Sequence, residues 1–161
     1  MPEAGLIHNP FPHTDADRHA IWEMLMARDI RAFVRGEWAA VAEDFDHEQF
    51  NAVNAHHSHD PRQWRLSFPT VDSYRDVWLE QAAQSRAVAY AEPLEAGLHR
   101  VSSLHQFDVQ GSAATVLKRF DGVLLTRDGA PQTLAWQSLY FCRRVRDDWK
   151  IRGFVGYLPL N

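Results

Sequence analysis

The 161 residues include a single cysteine, Cys142. One thiol closes no intrachain disulfide, so nothing calls for an oxidising compartment and a reducing cytoplasm is expected. Nowhere do about 18 apolar residues run together, which leaves no membrane-spanning helix to read. The N-terminal stretch lacks the basic region and apolar run of a secretory leader. A net charge of −4 offers no basic footprint for nucleic acid or for an anionic bilayer. Also missing are a glycine-rich phosphate loop, a nucleophile elbow, internal repeats and low-complexity tracts. Disulfide scaffolds, nucleic-acid binding, membrane spanning and phosphate cradling therefore drop out as expectations.

What is present suits one soluble, folded domain. The length is a single domain's worth, and 45% hydrophobic with 24% charged residues can bury a core without staples. Six tryptophans run from Trp22 to Trp149, so aromatics should contribute strongly to a core or a pocket. Acids outnumber bases from Asp15 to Asp60, whereas Lys118 to Arg152 tilts basic, which reads as two solvated faces.

The chain divides into a proline-punctuated arm over 1–13 and one domain over 14–161. Thr14 with Asp17 resembles a helix-opening box, and Ile21, Trp22, Leu25, Met26, Phe33 and Val34 keep helical spacing until Gly36. Trp38, Val41, Ala42 and Phe45 predict a short second amphipathic helix. Phe50 to His56 reads as a short strand, His57 to Ser67 as a polar loop, and a third helix should begin near Thr70 or Asp72. From about Leu98 the period changes to two. Leu98–Val109, Ala113–Thr126, Gln132–Arg146 and Trp149–Leu158 are predicted strands separated by turn residues. Helices followed by hairpins indicate an α+β domain in which N-terminal helices cover a curved, mostly antiparallel sheet.

At this point the sequence resembles a known family. Ala27 to Phe45, "ARDIRAFVRGEWAAVAEDF", is similar to the opening of the nuclear transport factor 2-like superfamily, which includes ketosteroid isomerases, scytalone dehydratase and SnoaL-like polyketide cyclases. Ser103 to Val116, "SLHQFDVQGSAATV", resembles its long strand and hairpin, and Cys142 to Phe154, "CRRVRDDWKIRGF", its closing hairpin. The resemblance implies a cone with an internal pocket, a small hydrophobic ligand, and a homodimer formed through the outer face of the sheet. It specifies fold more than function, because this cone hosts isomerases, dehydratases, cyclases and binding modules.

Individual positions then carry the functional expectations. Trp22, Met26, Asp29 and Phe33 share one helical stripe, placing a carboxylate among apolar side chains. Asp29 reads either as a pocket acid or base raised by desolvation, or as a stripe-edge aspartate paired with Arg28 or capping backbone. Under the resemblance it occupies the position of the isomerases' oxyanion-hole tyrosine. On the first long strand His99, Val101, Ser103, His105, Phe107 and Val109 share the expected inner face. His105 matches the pocket histidine of the dehydratase, which makes it the candidate for proton transfer, with a structurally satisfied histidine as the alternative. Trp136, Ser138 and Tyr140 alternate together on the third strand, and the resemblance sets Ser138 where the dehydratase binds substrate through asparagine. Asn54 lies near that enzyme's pocket tyrosine. The departures are Phe33 and Val34 in place of a Tyr-Asp pair, Leu124 where a second histidine is wanted, and Val53 at the isomerase base.

His56, His57 and His59 with Asp60 form one metal-like cluster, yet adjacent loop histidines without a second ligand group make a poor zinc site. No cofactor is expected. The leading expectation is a pocket for a hydrophobic small molecule, in which Asp29 and His105 carry out cofactor-free isomerisation, dehydration or cyclisation, with Trp22, Phe33, Asn54, Phe107, Trp136, Ser138 and Tyr140 touching the ligand. The other is a non-catalytic ligand-binding or dimerisation module.

Overall fold

Asp15 opens the first helical run, its carboxylate accepting the Arg18 backbone N–H. Asp15 serves as the cap instead of Thr14, because its side chain faces the free amides of the first turn. This computed structural model describes residues 8–161, so 1–7 of the expected arm lie outside the described residues. The run comprises α1 (Ala16–Trp22), a π-helical segment (Glu23–Arg28) and α2 (Asp29–Arg35). Gly36 ends it at φ 67°, a left-handed conformation that glycine adopts without strain. A Cβ there would meet the Arg86 guanidinium at 1.5 Å.

The predicted helix over Trp38 to Phe45 is instead two single 3₁₀ turns, Trp38–Ala40 and Ala42–Asp44, interrupted at Val41. Eight residues are too few to sustain α-helical cooperativity alone, and tertiary contacts decide: Val41 and Phe45 are buried, and Trp38 stacks on Phe45 with centroids 5.2 Å apart. The third helix forms as expected, α3 (Val71–Arg86), with a reciprocal Thr70–Ser73 capping box.

Six strands make one open sheet in the order β2-β1-β6-β5-β4-β3. They are β1 (Asn51–Asn54), β2 (Arg65–Phe68), β3 (Ser102–Gln110), β4 (Ala113–Leu125), β5 (Pro131–Val145) and β6 (Asp148–Leu158). β1 runs parallel to β6, and every other pairing is antiparallel. The sheet is therefore mixed, with helices on one face. Among the described residues no helix is long and apolar enough to cross a membrane.

Two strand predictions change. β2 falls within the expected loop; Arg65, Leu66 and Ser67 are exposed, so it shows no alternation, and it forms because β1 has a free edge to pair. Leu98 to Val101 are helical, in α4 (Leu94–Val101), which follows Pro93. Leu94, Leu98 and Val101 keep the i, i+4, i+7 spacing of a helix, and Leu98 and Val101 are buried in a core cluster with Trp22, Met26, Ile30 and Leu124. The larger cluster fills the space between helices and sheet through Leu25, Trp78, Val116, Trp149 and Phe154.

Candidate functional site

The alternation of β4 and β5 determines what faces the helices. Ala114, Val116 and Lys118 are buried on β4, and the paired inward positions on β5 are Cys142, Tyr140 and Ser138. Burial pushes the Cys142 thiol up to about 12, which leaves it inert. Between this face, α2 and α3 lies a cavity of about 420 Å³. Its inner surface includes Asp29, Phe33, Tyr74, Trp78, Lys118, Ser138, Tyr140 and Phe154. Toward solvent it is bordered by Gln81, Gln84, Ser85, Val88, Tyr90, Gln132, Trp136 and Tyr157. Gln81 donates to the Tyr157 hydroxyl at 2.7 Å, and Tyr90 donates to Gln132 at 3.0 Å.

Among the described residues, Asp29 and Lys118 are the only charged groups lining the cavity, and they pair with each other at 3.0 Å. The Lys118 side chain is 2% exposed, whereas that of Asp29 is 32% exposed and opens to the cavity. Trp78 Nε1 donates to the other Asp29 oxygen at 3.3 Å. Lys118 Nζ also donates to the Leu25 carbonyl at 2.6 Å and stands 5.3 Å from the Phe120 ring centroid.

The π-helical segment makes this arrangement possible. In an α-helix the Asp29 amide would bond the Leu25 carbonyl. Here it bonds the Met26 carbonyl, and Leu25 receives the lysine. π segments inserted in α-helices commonly mark functional positions. This one also breaks the predicted stripe, because the wider turn rotates α2 relative to α1. Asp29 and Phe33 reach the cavity, while Trp22 turns into the other cluster.

Tyr74 and Tyr140 stand at 4.9 and 5.4 Å from Phe154, ring to ring. Neither hydroxyl has a hydrogen-bond partner among the described residues. Burial, reinforced by the Asp29 charge, raises both phenols well above their ordinary value. They remain donors at any working pH.

No family model matches the chain, and no curated protein does. Solved structures do match. A nuclear transport factor 2-like superfamily protein from Salmonella enterica superposes with a TM-score of 0.56 at 12% identity, over 92% of this chain and 94% of its own. A domain with a cystatin-like fold from Nostoc punctiforme gives 0.55 at 17% identity, over 91% and 80%. An NTF2-like protein of unknown function from Shewanella baltica gives 0.53 at 14% identity, over 88% and 93%. The fold is nuclear transport factor 2-like. At these identities the likeness extends to architecture and not to activity.

Within this fold the structure brings together Asp29, Phe33, Trp136, Ser138 and Tyr140, all on the cavity. It separates four other candidates from them. His105 does not line the cavity, and its Nε2 lies 2.7 Å from Ser103 Oγ on the opposite face of β3. The cause is a bulge between His105 and Asp108, with Gln106 at φ 49°. Leu104 pairs with buried Lys118 and packs inward, so its neighbour His105, opposite Leu117, faces out. Past the bulge the phase reverses, and Phe107 packs against Phe11 at 5.3 Å, away from the cavity. Trp22 is buried and stacks on His99 at 6.1 Å. Asn54 uses its side chain locally, accepting the His56 amide at 2.8 Å.

Arg28, the alternative partner for Asp29, instead holds Asp44 at 2.7 Å. Lys118, Tyr74 and Trp78 line the cavity and are candidates that sequence reasoning missed. Two signals for Lys118 exist in the chain: it sits on the apolar face of an alternating strand, and it is one of two lysines against fifteen arginines.

Proposed function

We propose that the cavity binds an uncharged, ring-bearing small molecule and that Asp29 moves a proton on it without a cofactor, as in isomerisation, dehydration or cyclisation. The observation that carries this reading is the Asp29 carboxylate, open to an aromatic-walled cavity and faced by two unpartnered phenols. A ligand oxygen placed at Tyr74 and Tyr140 would accept hydrogen bonds that strengthen as negative charge develops on it. Asp29 is held from both sides by Lys118 and Trp78, an orientation suited to taking a proton from an adjacent carbon and returning it. His105, turned to the other face, has no part in this step. The pairing of the only two lining charges favours a neutral ligand, because a buried carboxylate or phosphate would have no free cation to meet it.

The test is exchange of the α-protons of 2-tetralone, a neutral bicyclic ketone, in deuterated solvent followed by NMR. Wild type should accelerate exchange and Asp29→Asn should lose about 100-fold or more of the acceleration. Equal exchange by the two proteins would overturn the assignment of Asp29. A second reading, non-catalytic binding, is favoured by one observation: both Asp29 oxygens already accept protein hydrogen bonds. It predicts saturable binding of the ketone without exchange.

A further inference from the structure

Lysine is scarce in this chain: Lys118 and Lys150 are the only two, against fifteen arginines. Lys150 is at the surface and donates to the Glu43 carbonyl. The chain therefore uses arginine for nearly every cation, and places a primary amine at the one buried cationic position among the described residues, on the wall of the cavity. Charge neutralisation of Asp29 does not by itself demand an amine. Amines differ from guanidinium groups in one chemical respect that matters here: once deprotonated they are nucleophiles, and lysines in desolvated pockets form imines with carbonyl compounds.

We propose that Lys118 is an imine-forming residue, and that the ligand class of the cavity is a carbonyl compound, an aldehyde or ketone carried on an aromatic or alicyclic ring. This rests on the reading that the cavity admits such a molecule. The step uses only groups in place. Asp29, 3.0 Å from Nζ, takes one proton from the ammonium. The freed electron pair of Nζ attacks the carbonyl carbon, and the oxygen, hydrogen bonded by Tyr140 or Tyr74, becomes the hydroxyl of a carbinolamine once the displaced amine proton reaches it. Asp29 returns its proton to that hydroxyl, which leaves as water while the C=N bond forms. One water is released, the positive charge stays on nitrogen, and no oxidant or reductant is consumed.

The surroundings suit the product as well as the reactants. A protonated imine keeps one N–H and its charge, so the Asp29 carboxylate remains its counterion. Trp78 holds that carboxylate by its second oxygen throughout. The imine also deepens the proton-transfer reading, since a cationic C=N bond acidifies the neighbouring C–H far more than the parent carbonyl does, and Asp29 is the base beside it.

The experiment is reductive trapping on the full chain. Protein is incubated with 2-naphthaldehyde and sodium cyanoborohydride, and adducts are followed by intact mass and peptide mapping. In parallel, quenching of tryptophan fluorescence by 2-naphthol, which binds but cannot form an imine, reports occupancy of the cavity. The expected result is one adduct, at Lys118, forming at least about tenfold faster than at Lys150 or the terminal amine, and slowed by saturating 2-naphthol. Lys118→Arg, checked by circular dichroism to be folded, should abolish it. If 2-naphthol binds and Lys118 reacts no faster than Lys150, the imine is overturned while the cavity reading stands. If 2-naphthol does not bind and no selective adduct forms, both fail.

Discussion

Lys118 reaches from the middle of β4 to the backbone carbonyl of Leu25, 93 residues earlier, at 2.6 Å. That contact ties the long sheet to the π-helical segment of the first helical run, and it aligns Asp29 in the same stroke. Stability and the proposed chemistry therefore rest on the same residue.

Replacing Lys118 by Met should cost roughly 2–4 kcal/mol, the penalty for leaving a buried carbonyl and a partly exposed carboxylate without their cation. Urea unfolding measures it. Adding Asp29→Asn should recover part of the loss, because the uncompensated charge disappears; a fully additive double variant would contradict the coupling.

Tyr140→Phe should leave unfolding stability within about 0.5 kcal/mol, since its hydroxyl bonds no described residue. The same change should weaken binding of 2-tetralone by about fivefold to tenfold, the worth of one hydrogen bond to an uncharged oxygen. Isothermal titration decides, and an unchanged affinity would remove Tyr140 from the site.

His105→Ala should keep ligand binding and α-proton exchange within about twofold of wild type, because its ring faces away from the cavity. A loss of about 100-fold would mean that the bulge in β3 does not hold in solution.

His99, stacked on Trp22 at the end of α4, predicts a pH effect. Burial, with Lys118 and Arg31 nearby, lowers its pKa below 6.5 against the opposing pull of Glu95 and Glu23. Its Nδ1 is buried without a partner among the described residues. The unfolded chain thus binds the proton more readily, so the stability contributed by neutral His99 is complete above about pH 6.5 and is lost as pH falls toward the folded value. His99→Phe, which keeps the stack on Trp22, should flatten the decline in Tm between about pH 7 and 5. An identical decline in the variant would assign the effect elsewhere.

Much of the architecture is legible from residue order. Thr70 and Ser73 announce α3, Gly36 ends α2, and the alternation on β4 and β5 assigns Trp136, Ser138 and Tyr140 to one face. These features depend on neighbours a few positions away, where capping, φ preference and period two operate directly. The α4 segment is harder to read for a physical reason: Leu94, Leu98 and Val101 keep helical spacing, yet Val101 is also in phase with the alternating residues that follow it, and docking beside Leu124 selects the helix.

By itself, then, the sequence determined a helices-then-hairpins domain, an aspartate on an apolar stripe, and an aromatic face on the third long strand, because each is written in short-range pattern. The tertiary structure alone decided which of those groups meet. A π-helical turn rotated Asp29 toward the sheet and Trp22 away from it, and a bulge at Gln106 turned His105 outward. Lys118, inconspicuous among its neighbours in the chain, became the partner of Asp29 because strand pairing brought it inside, where a cation must find an anion.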